Sequence, residues 1–250
     1  MPNKDSWGRD DYFNEAKHTL PDSVPFKSDL SQFVVKKSFR SLLWKTDDLE
    51  FDRFNYLKEK AISGKGDSDR HLLSLYSLAL SSHSRNVLEL GVRKGTTTLP
   101  LLMAVKENSG RLDSVDVSDT EFACPDDLKQ YWNFYKSDAI KFLEDAVIRG
   151  EKFDFIYLDD WHEYSHVKRE LELIDQLVTP SSIILIHDCM YSTNNSPYYH
   201  MDLTLPKENQ WGAGGPARAV QELNPQFWEF STLPYNNGLT LLRKKYSSKY

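Results

Sequence analysis

Short apolar runs alternate with segments of helical hydrophobic spacing along most of this chain. From residue 86 onward, five apolar runs of strand length are each followed by residues that place apolar side chains every three or four positions. The predicted strands cover residues 87–90, 111–117, 132–136, 153–158 and 182–187. Repeated strand–helix alternation predicts a parallel sheet with helices on both faces.

The end of the chain follows a different pattern. Two apolar runs, 227–233 and 239–243, flank a turn segment that ends in Asn237-Gly238, and a short helix begun by Pro216 precedes them. An Asn-Gly pair between apolar runs is typical of a β-hairpin. The predicted fold class is therefore α/β: a Rossmann-like, doubly wound, seven-stranded sheet, mostly parallel, with a C-terminal antiparallel hairpin.

The first seventy residues do not share this alternation. Asp29 is a candidate cap for a helix up to about residue 43, and a second helix runs from about Phe51 to Gly64. A third helix begins near Asp69. We therefore expect two parts, a helical N-terminal extension or lid over residues 1–70 and one α/β domain over residues 71–250.

Composition narrows the class of protein. Of 250 residues 40% are hydrophobic, and the net charge of −6 includes no long basic run, which disfavours a nucleic-acid partner. The longest aliphatic run, Ile183–Ile186, is too short to cross a bilayer, and the N-terminus lacks an apolar leader. Cys124 and Cys189 lie far apart, which favours reduced thiols. The sequence predicts a soluble cytoplasmic protein with no membrane or nucleic-acid partner.

A glycine motif follows the first predicted strand. It reads Glu89-x-Gly91-x-x-x-Gly95-x-Thr97 and predicts a tight turn that leads into a helix N-terminus. Gly91 would let a ligand approach the backbone, and Gly95 would let the helix pack close to the strand. The dinucleotide fingerprint spaces its glycines differently, which disfavours a nicotinamide-dependent oxidoreductase.

Acidic residues end the predicted strands. They are Glu89, Asp116, Asp138, Asp159, Asp160 and Asp188. Helix capping explains any one of them, but together they would crowd one rim of the sheet and repel one another without a cation or a hydroxylated ligand. Asp116 is placed to accept hydrogen bonds from ribose hydroxyls. Asp138 would bind an adenine amino group, cap a helix, or do both, and Glu89 is either near the ligand or structurally satisfied.

The segment Asp159-x-x-His162 places a carboxylate and an imidazole at one strand end. Asp188 arrives from the next strand, and carboxylate oxygens suit a hard divalent cation. A neutral imidazole can take a proton from an alcohol whose pKa the cation has lowered. This pattern favours a functional site over a surface histidine.

These motifs resemble class I S-adenosylmethionine-dependent methyltransferases, over about residues 72–243. The resemblance is to cation-dependent O-methyltransferases that modify macrolide sugars and cephalosporins, and more distantly to catechol O-methyltransferase. It implies S-adenosylmethionine and a divalent cation, Mg²⁺ or Mn²⁺, as cofactors. It further implies Asp159, His187 and Asp188 as metal ligands, His162 as general base, and Trp161 packed on the adenine.

Two departures from the pattern of these families leave open which metal binds and whether one binds at all. His187 stands where the sugar-modifying enzymes often have an acid, and Cys189, a poor magnesium ligand, follows Asp188. Coordination could then be incomplete, use a softer cation such as Mn²⁺, or be absent. A metal-independent methyltransferase and a non-catalytic, partner-binding domain are the alternatives.

The predicted reaction is methyl transfer to a hydroxyl of a small molecule, a sugar or polyol. Aromatic and amide side chains in the loop 190–215 suit stacking on such an acceptor, or pack against one another. The resemblance implies that the N-terminal residues cover the acceptor site or build a homo-oligomer.

Overall fold

A computed structural model describes residues 48–190 and 214–245 of the chain. The chain divides into two compact units, residues 1–51 and 52–250. The helix predicted after Asp29 and most of the loop 190–215 lie outside the described residues. The division into residues 1–70 and 71–250 stays a prediction.

The described residues form six α-helices and seven strands. In chain order they are α1 (Asp48–Ser63), α2 (Leu72–Ser81), β1 (Asn86–Leu90), α3 (Thr98–Glu107), β2 (Arg111–Asp116), β3 (Trp132–Lys136), α4 (Ala139–Arg149), β4 (Phe155–Leu158), α5 (Tyr164–Leu177), β5 (Ile183–His187), α6 (Gly214–Gln221), β6 (Trp228–Leu233) and β7 (Leu239–Lys244). Within 48–190 and 214–245, no helix combines the length and the apolar character that a membrane crossing requires.

The seven strands form one sheet in the order β3-β2-β1-β4-β5-β7-β6. The first five pair in parallel, whereas β7 is antiparallel to both β5 and β6. This arrangement confirms the predicted fold class. The strand order reverses between β1 and β4, and in such sheets ligands bind at this point, beyond the carboxyl ends of the strands.

Alternate side chains of the central strands enter two separate cores. Leu88, Leu90 and Ile156 pack with α4 and α5 on one face, whereas Val87 and Phe155 pack with α2 and α3 on the other. All five are fully buried. Burial on both faces explains why these strands read as continuous apolar runs.

Several boundaries differ from those predicted. β4 begins at Phe155 rather than at residue 153, because the Asp154 carboxylate accepts hydrogen bonds from the backbone N–H groups of Arg85 and Asn86, at 2.9 and 3.0 Å. α6 begins at Gly214, two residues before Pro216. The predicted hairpin is confirmed.

Candidate active site

The glycine turn after β1 brings three strand ends together. Gly91 has a φ of +90°, and its N–H donates to the carbonyl of Val115 at 2.9 Å. A Cβ atom at this position would lie 2.3 Å from the carbonyl oxygen of Asp159. Both the left-handed backbone and the close approach therefore require glycine here.

Asp116, at the end of β2, holds the glycine turn in place. One carboxylate oxygen accepts hydrogen bonds from the N–H groups of Val92 and Arg93, at 2.9 and 3.0 Å, and the other accepts from Ser118 at 2.9 Å. Burial alone would raise the pKa of Asp116, but these three donors lower it below its ordinary value. The carboxylate stays ionised and keeps free lone pairs for a further donor.

A cavity of about 380 Å³ opens beside this turn. It is lined by Gly91, Arg93, Val115, Asp116, Val117, Ser137, Asp138, Ala139, Asp159, Asp160, Trp161 and His166. The structure thus brings together five of the predicted site residues, from the ends of four strands. Sequence reasoning missed His166. The feature of the sequence that could have indicated it is its position in the first turn of the helix that follows Asp159 and Asp160.

Two of the cavity residues also have local structural partners. Asp138 caps α4, since its carboxylate accepts a hydrogen bond from the N–H of Lys141 at 3.0 Å. Trp161 is 46% exposed, and its indole N–H donates to Glu163 at 3.2 Å. The predicted contacts of both with adenine stay predictions.

Other predicted residues lie away from the cavity lining. The Glu89 carboxylate is fully buried and accepts hydrogen bonds from the hydroxyls of Thr97, Thr98 and Ser114, at 2.8, 2.8 and 2.7 Å. Burial raises the pKa of Glu89 to about 7, although these hydroxyls oppose the shift. The hydroxyl of Thr97 thus has a partner inside the protein.

Gly95 is packed from outside the motif. Its φ is +72°, and a Cβ atom there would lie 2.2 Å from the ring of Phe122. The close approach at Gly95 is therefore to Phe122, in the segment after β2, and not between the helix and the strand as predicted. A direct role for Glu89, Gly95 and Thr97 in cofactor binding stays a prediction.

Asp159, His162 and Asp188, called here the Asp159 cluster, meet at the ends of β4 and β5. The Nε2 atom of His162 lies 3.1 Å from Asp188 Oδ2 and 3.5 Å from Asp159 Oδ1. One ligand atom from each residue falls within 4.8 Å of the others, close enough to share a metal ion. Their donor set, two carboxylates and an imidazole, suits a divalent cation.

His187 lies beside the Asp159 cluster and is almost completely buried. Its Nδ1 atom is 3.2 Å from Asp159 Oδ1 and 3.3 Å from Asp188 Oδ1. Among the described residues, neither ring nitrogen of His187 has a hydrogen-bond partner, nor has Oδ1 of Asp188. Buried polar atoms are normally paired, so these atoms have unused capacity to bind a ligand.

The histidines and carboxylates of this site shift one another's titration. Burial would lower the pKa values of His162 and His187, but the carboxylates of Asp159 and Asp188 raise both. Burial would raise the pKa of Asp159, but the neighbouring His187 and His162 lower it well below its usual range. Opposite charges held this close stabilise the ionised forms of both partners.

Three further side chains support the site, and sequence reasoning missed them. Tyr157 donates a hydrogen bond from its hydroxyl to Asp159 at 2.9 Å, and Ser68 donates to the same oxygen at 3.3 Å. His71 is fully buried, and its ring meets that of His187 edge to face at 5.4 Å. The loop before α2 therefore reaches the strand-end site, a contact that spacing along the chain does not reveal.

Comparison with known proteins identifies the class to which this fold belongs. Residues 88–189 match a family model described as a methyltransferase domain, and these residues run from β1 to just beyond Asp188. None of the curated proteins compared with this sequence matches it. The chain has the fold of class I S-adenosylmethionine-dependent methyltransferases, which confirms the resemblance predicted from the sequence.

Solved methyltransferases share this fold at low sequence identity. The O-methyltransferase from Bacillus cereus, in complex with SAH, is 17% identical with a TM-score of 0.55, over 87% of this chain and 100% of that chain. SAH-bound PaMTH1 from Podospora anserina is 16% identical with a TM-score of 0.54, over 90% and 100%. TomG from Streptomyces achromogenes, an O-methyltransferase in complex with SAM, is 16% identical with a TM-score of 0.55, over 83% and 94%.

Proposed function

We propose that this protein transfers the methyl group of S-adenosylmethionine to a hydroxyl of a small molecule, with a divalent cation at the Asp159 cluster. The observation that carries the proposal is the juxtaposition of two sites. The cavity at the glycine turn and the Asp159 cluster share Asp159, so a bound cosubstrate would lie next to the cluster.

The cavity suits the nucleoside part of the cosubstrate. The ionised Asp116 carboxylate faces the cavity with unused lone pairs, which favours a pair of ribose hydroxyls as its ligand. Asp138 and Trp161 offer an acceptor and an aromatic surface for a base. Gly91 keeps this wall free of a side chain, so a ligand can approach the backbone.

The Asp159 cluster fits a divalent cation. Asp159 and Asp188 would hold it through their carboxylates, and the buried nitrogen His187 Nδ1, which lacks a hydrogen-bond partner among the described residues, is close enough to join them. Such a cation, when bound, lowers the pKa of a hydroxyl that lies against it.

His162 is the proposed proton acceptor, since a cation held by Asp159 and Asp188 would offset the carboxylate charges that favour its protonated form. With 26% of its side chain exposed, it is the most accessible member of the Asp159 cluster, against 19% for Asp159 and 5% for Asp188. An acceptor molecule would therefore meet the imidazole first, and the Nε2 atom, which has no hydrogen-bond partner among the described residues, lies 3.1 Å from Asp188 Oδ2. Orientation of the hydroxyl towards the methyl group supplies much of the rate in such transfers.

The short distances among Asp159, His162 and Asp188 support a second possible role for His162. Its Nε2 atom is itself within ligand distance of both carboxylates, so it would serve as a metal ligand instead of a base. His162→Ala distinguishes the two assignments. If His162 is the base, the variant binds Mn²⁺ as the wild type does and loses turnover. If His162 is a metal ligand, the variant also loses affinity for Mn²⁺.

The proposal is tested by calorimetry and by radiolabelled methyl transfer. We expect the wild-type protein to bind S-adenosylhomocysteine, and to transfer label from S-adenosylmethionine to members of a panel of sugars, polyols and phenols. We expect EDTA to abolish transfer, and Mn²⁺ or Mg²⁺ to restore it. Absence of S-adenosylhomocysteine binding would refute the proposal as a whole. Transfer that EDTA leaves unchanged would refute the role of the cation and favour a metal-independent enzyme.

A further inference from the structure

A second group of metal-binding side chains lies on the other side of the β4–α5 turn. It consists of Asp160, His166 and Glu170, called here the Glu170 cluster. Asp160 follows Asp159 in the chain, while His166 and Glu170 are one helical turn apart on α5. One ligand atom of each residue lies within 4.8 Å of the others.

Glu170 is the unusual member of this cluster. Its side chain is 1% exposed, yet among the described residues neither of its carboxylate oxygens has a hydrogen-bond partner. A buried carboxylate is strongly destabilising unless it is paired or bound to a metal. Within the described part of the chain Glu170 forms an ion-pair contact with His166, whose Nε2 lies 3.5 Å from Oε1, beyond the length of a strong charge-assisted bond.

The donor spacing fits one metal ion. His166 Nε2 lies 3.2 Å from Asp160 Oδ2 and 3.5 Å from Glu170 Oε1. Ligands bound at about 2.0–2.1 Å in a tetrahedral site are about 3.3 Å apart, which is close to both distances. One imidazole nitrogen with two carboxylate oxygens is a donor set that divalent transition metals accept.

The cluster also borders the cavity at the glycine turn. Asp160 and His166 line that cavity with 19% and 18% of their side chains exposed, so an ion can enter from it, whereas Glu170 closes the inner side.

We infer that Asp160, His166 and Glu170 form a second divalent transition-metal site, separate from the Asp159 cluster. An ion there would tie the end of β4 to the first two turns of α5. The residues between, 161–163, include Trp161 and His162, so the ion would fix a segment that carries one residue of the cavity wall and one member of the Asp159 cluster. The inference does not depend on the proposed methyl transfer, since it concerns metal binding alone.

Co²⁺ titration of the full-length chain tests this inference by its visible absorption and by calorimetry. The variant Asp188→Asn isolates the site, because it disables the Asp159 cluster and leaves the Glu170 cluster intact. We expect this variant to bind one Co²⁺ per chain and to melt at a higher temperature when Co²⁺ is present. Adding Glu170→Gln should weaken that binding at least about 100-fold, since even the loss of an outer partner of a metal ligand costs 10- to 100-fold.

Glu172→Gln is the matched control, because Glu172 lies on the same helix with 54% of its side chain exposed. Added to Asp188→Asn, it should leave Co²⁺ binding unchanged. If Glu170→Gln does not fold, as judged by circular dichroism, His166→Gln replaces it. The inference is overturned if Asp188→Asn binds no Co²⁺, or if the Glu170 and His166 variants bind it as tightly as the control does. The cluster would then be a buried ion-pair network. A wild-type chain that binds a single Co²⁺, lost in Glu170→Gln, would support this site while refuting the Asp159 cluster.

Discussion

The Nε2 atom of His162 lies 3.1 Å from the Oδ2 atom of Asp188, although the two residues follow different strands. The parallel pairing of β4 with β5 brings them together, because it places both carboxyl ends on one rim of the sheet. The contact joins the most exposed member of the Asp159 cluster to its most buried one.

We expect Asp188→Asn to reduce the number of Mn²⁺ ions that bind tightly by one per chain, with that site weakened about 100-fold. The amide is neutral and cannot supply the charge of the carboxylate. Electron paramagnetic resonance of free Mn²⁺ measures the change. Affinity for S-adenosylhomocysteine should remain within about threefold, a change in binding free energy smaller than the loss of one typical hydrogen bond. Asp175→Asn, at a half-exposed carboxylate on α5, is the control. Equal Mn²⁺ binding by both variants would contradict the assignment.

Asp116→Ala should weaken binding of S-adenosylhomocysteine by about 100-fold, the equivalent of two hydrogen bonds to a charged group. The change also removes the acceptor that orders the N–H groups of Val92 and Arg93. Asp119→Ala is the matched control, since this carboxylate follows the same strand but is 82% exposed and pairs with Lys136. Calorimetry of the two variants gives the comparison. Similar affinities would show that Asp116 only shapes the loop.

Gly91→Ala should destabilise the protein by more than about 2 kcal/mol and abolish S-adenosylhomocysteine binding, because the added methyl group meets the Asp159 backbone. Gly150→Ala separates the effect of this clash from the cost of placing a residue other than glycine at a positive φ angle. Gly150 also has a positive φ, +68°, but no described atom lies within 4 Å of its Cβ position. The control should therefore lose only about 1 kcal/mol. Urea unfolding measures both, and equal losses would rule out the clash.

Glu89→Gln should change how stability depends on pH. The folded protein raises the pKa of Glu89 from 4.5 to about 7, so between these values the native state binds more protons than the unfolded chain. The contribution of Glu89 to the free energy of unfolding therefore falls as the pH rises through that window, by about 3 kcal/mol in total. Glutamine does not titrate. The free energy of unfolding of Glu89→Gln, minus that of the wild type, should increase from pH 4.5 to pH 7.

Chemical denaturation at a series of pH values measures this difference directly. Subtraction of the wild-type curve cancels the other groups that titrate in the same range. Glu59→Gln, at an exposed position on α1, is the control and should give a constant difference. A constant difference for Glu89→Gln would mean that the buried carboxylate titrates normally.

The sequence by itself determined the fold. Hydrophobic periodicity predicted all seven strands to within a few residues. The inner strands β1, β2, β4 and β5 are buried on both faces and must be apolar, whereas the edge strands β3 and β6 are largely exposed. The Asn237-Gly238 pair predicted the hairpin, since its positive φ angles favour these residue types. Motif spacing predicted a tight glycine turn at Gly91 for the cosubstrate. The close approach of the Asp159 backbone explains why this position requires glycine.

Tertiary structure alone decided which acids face the cavity. Glu89 and Asp116 both follow the same periodic pattern, but the pleat sends Glu89 into the interior, where three hydroxyls hold it, and leaves Asp116 at the cavity. Likewise, only the folding of the loop before α2 brings Ser68 and His71 to the strand ends. The Glu170 cluster arises where a helix returns over the preceding turn. The contacts of Ser68 and His71 depend on packing between elements distant in the chain, and local spacing does not encode them.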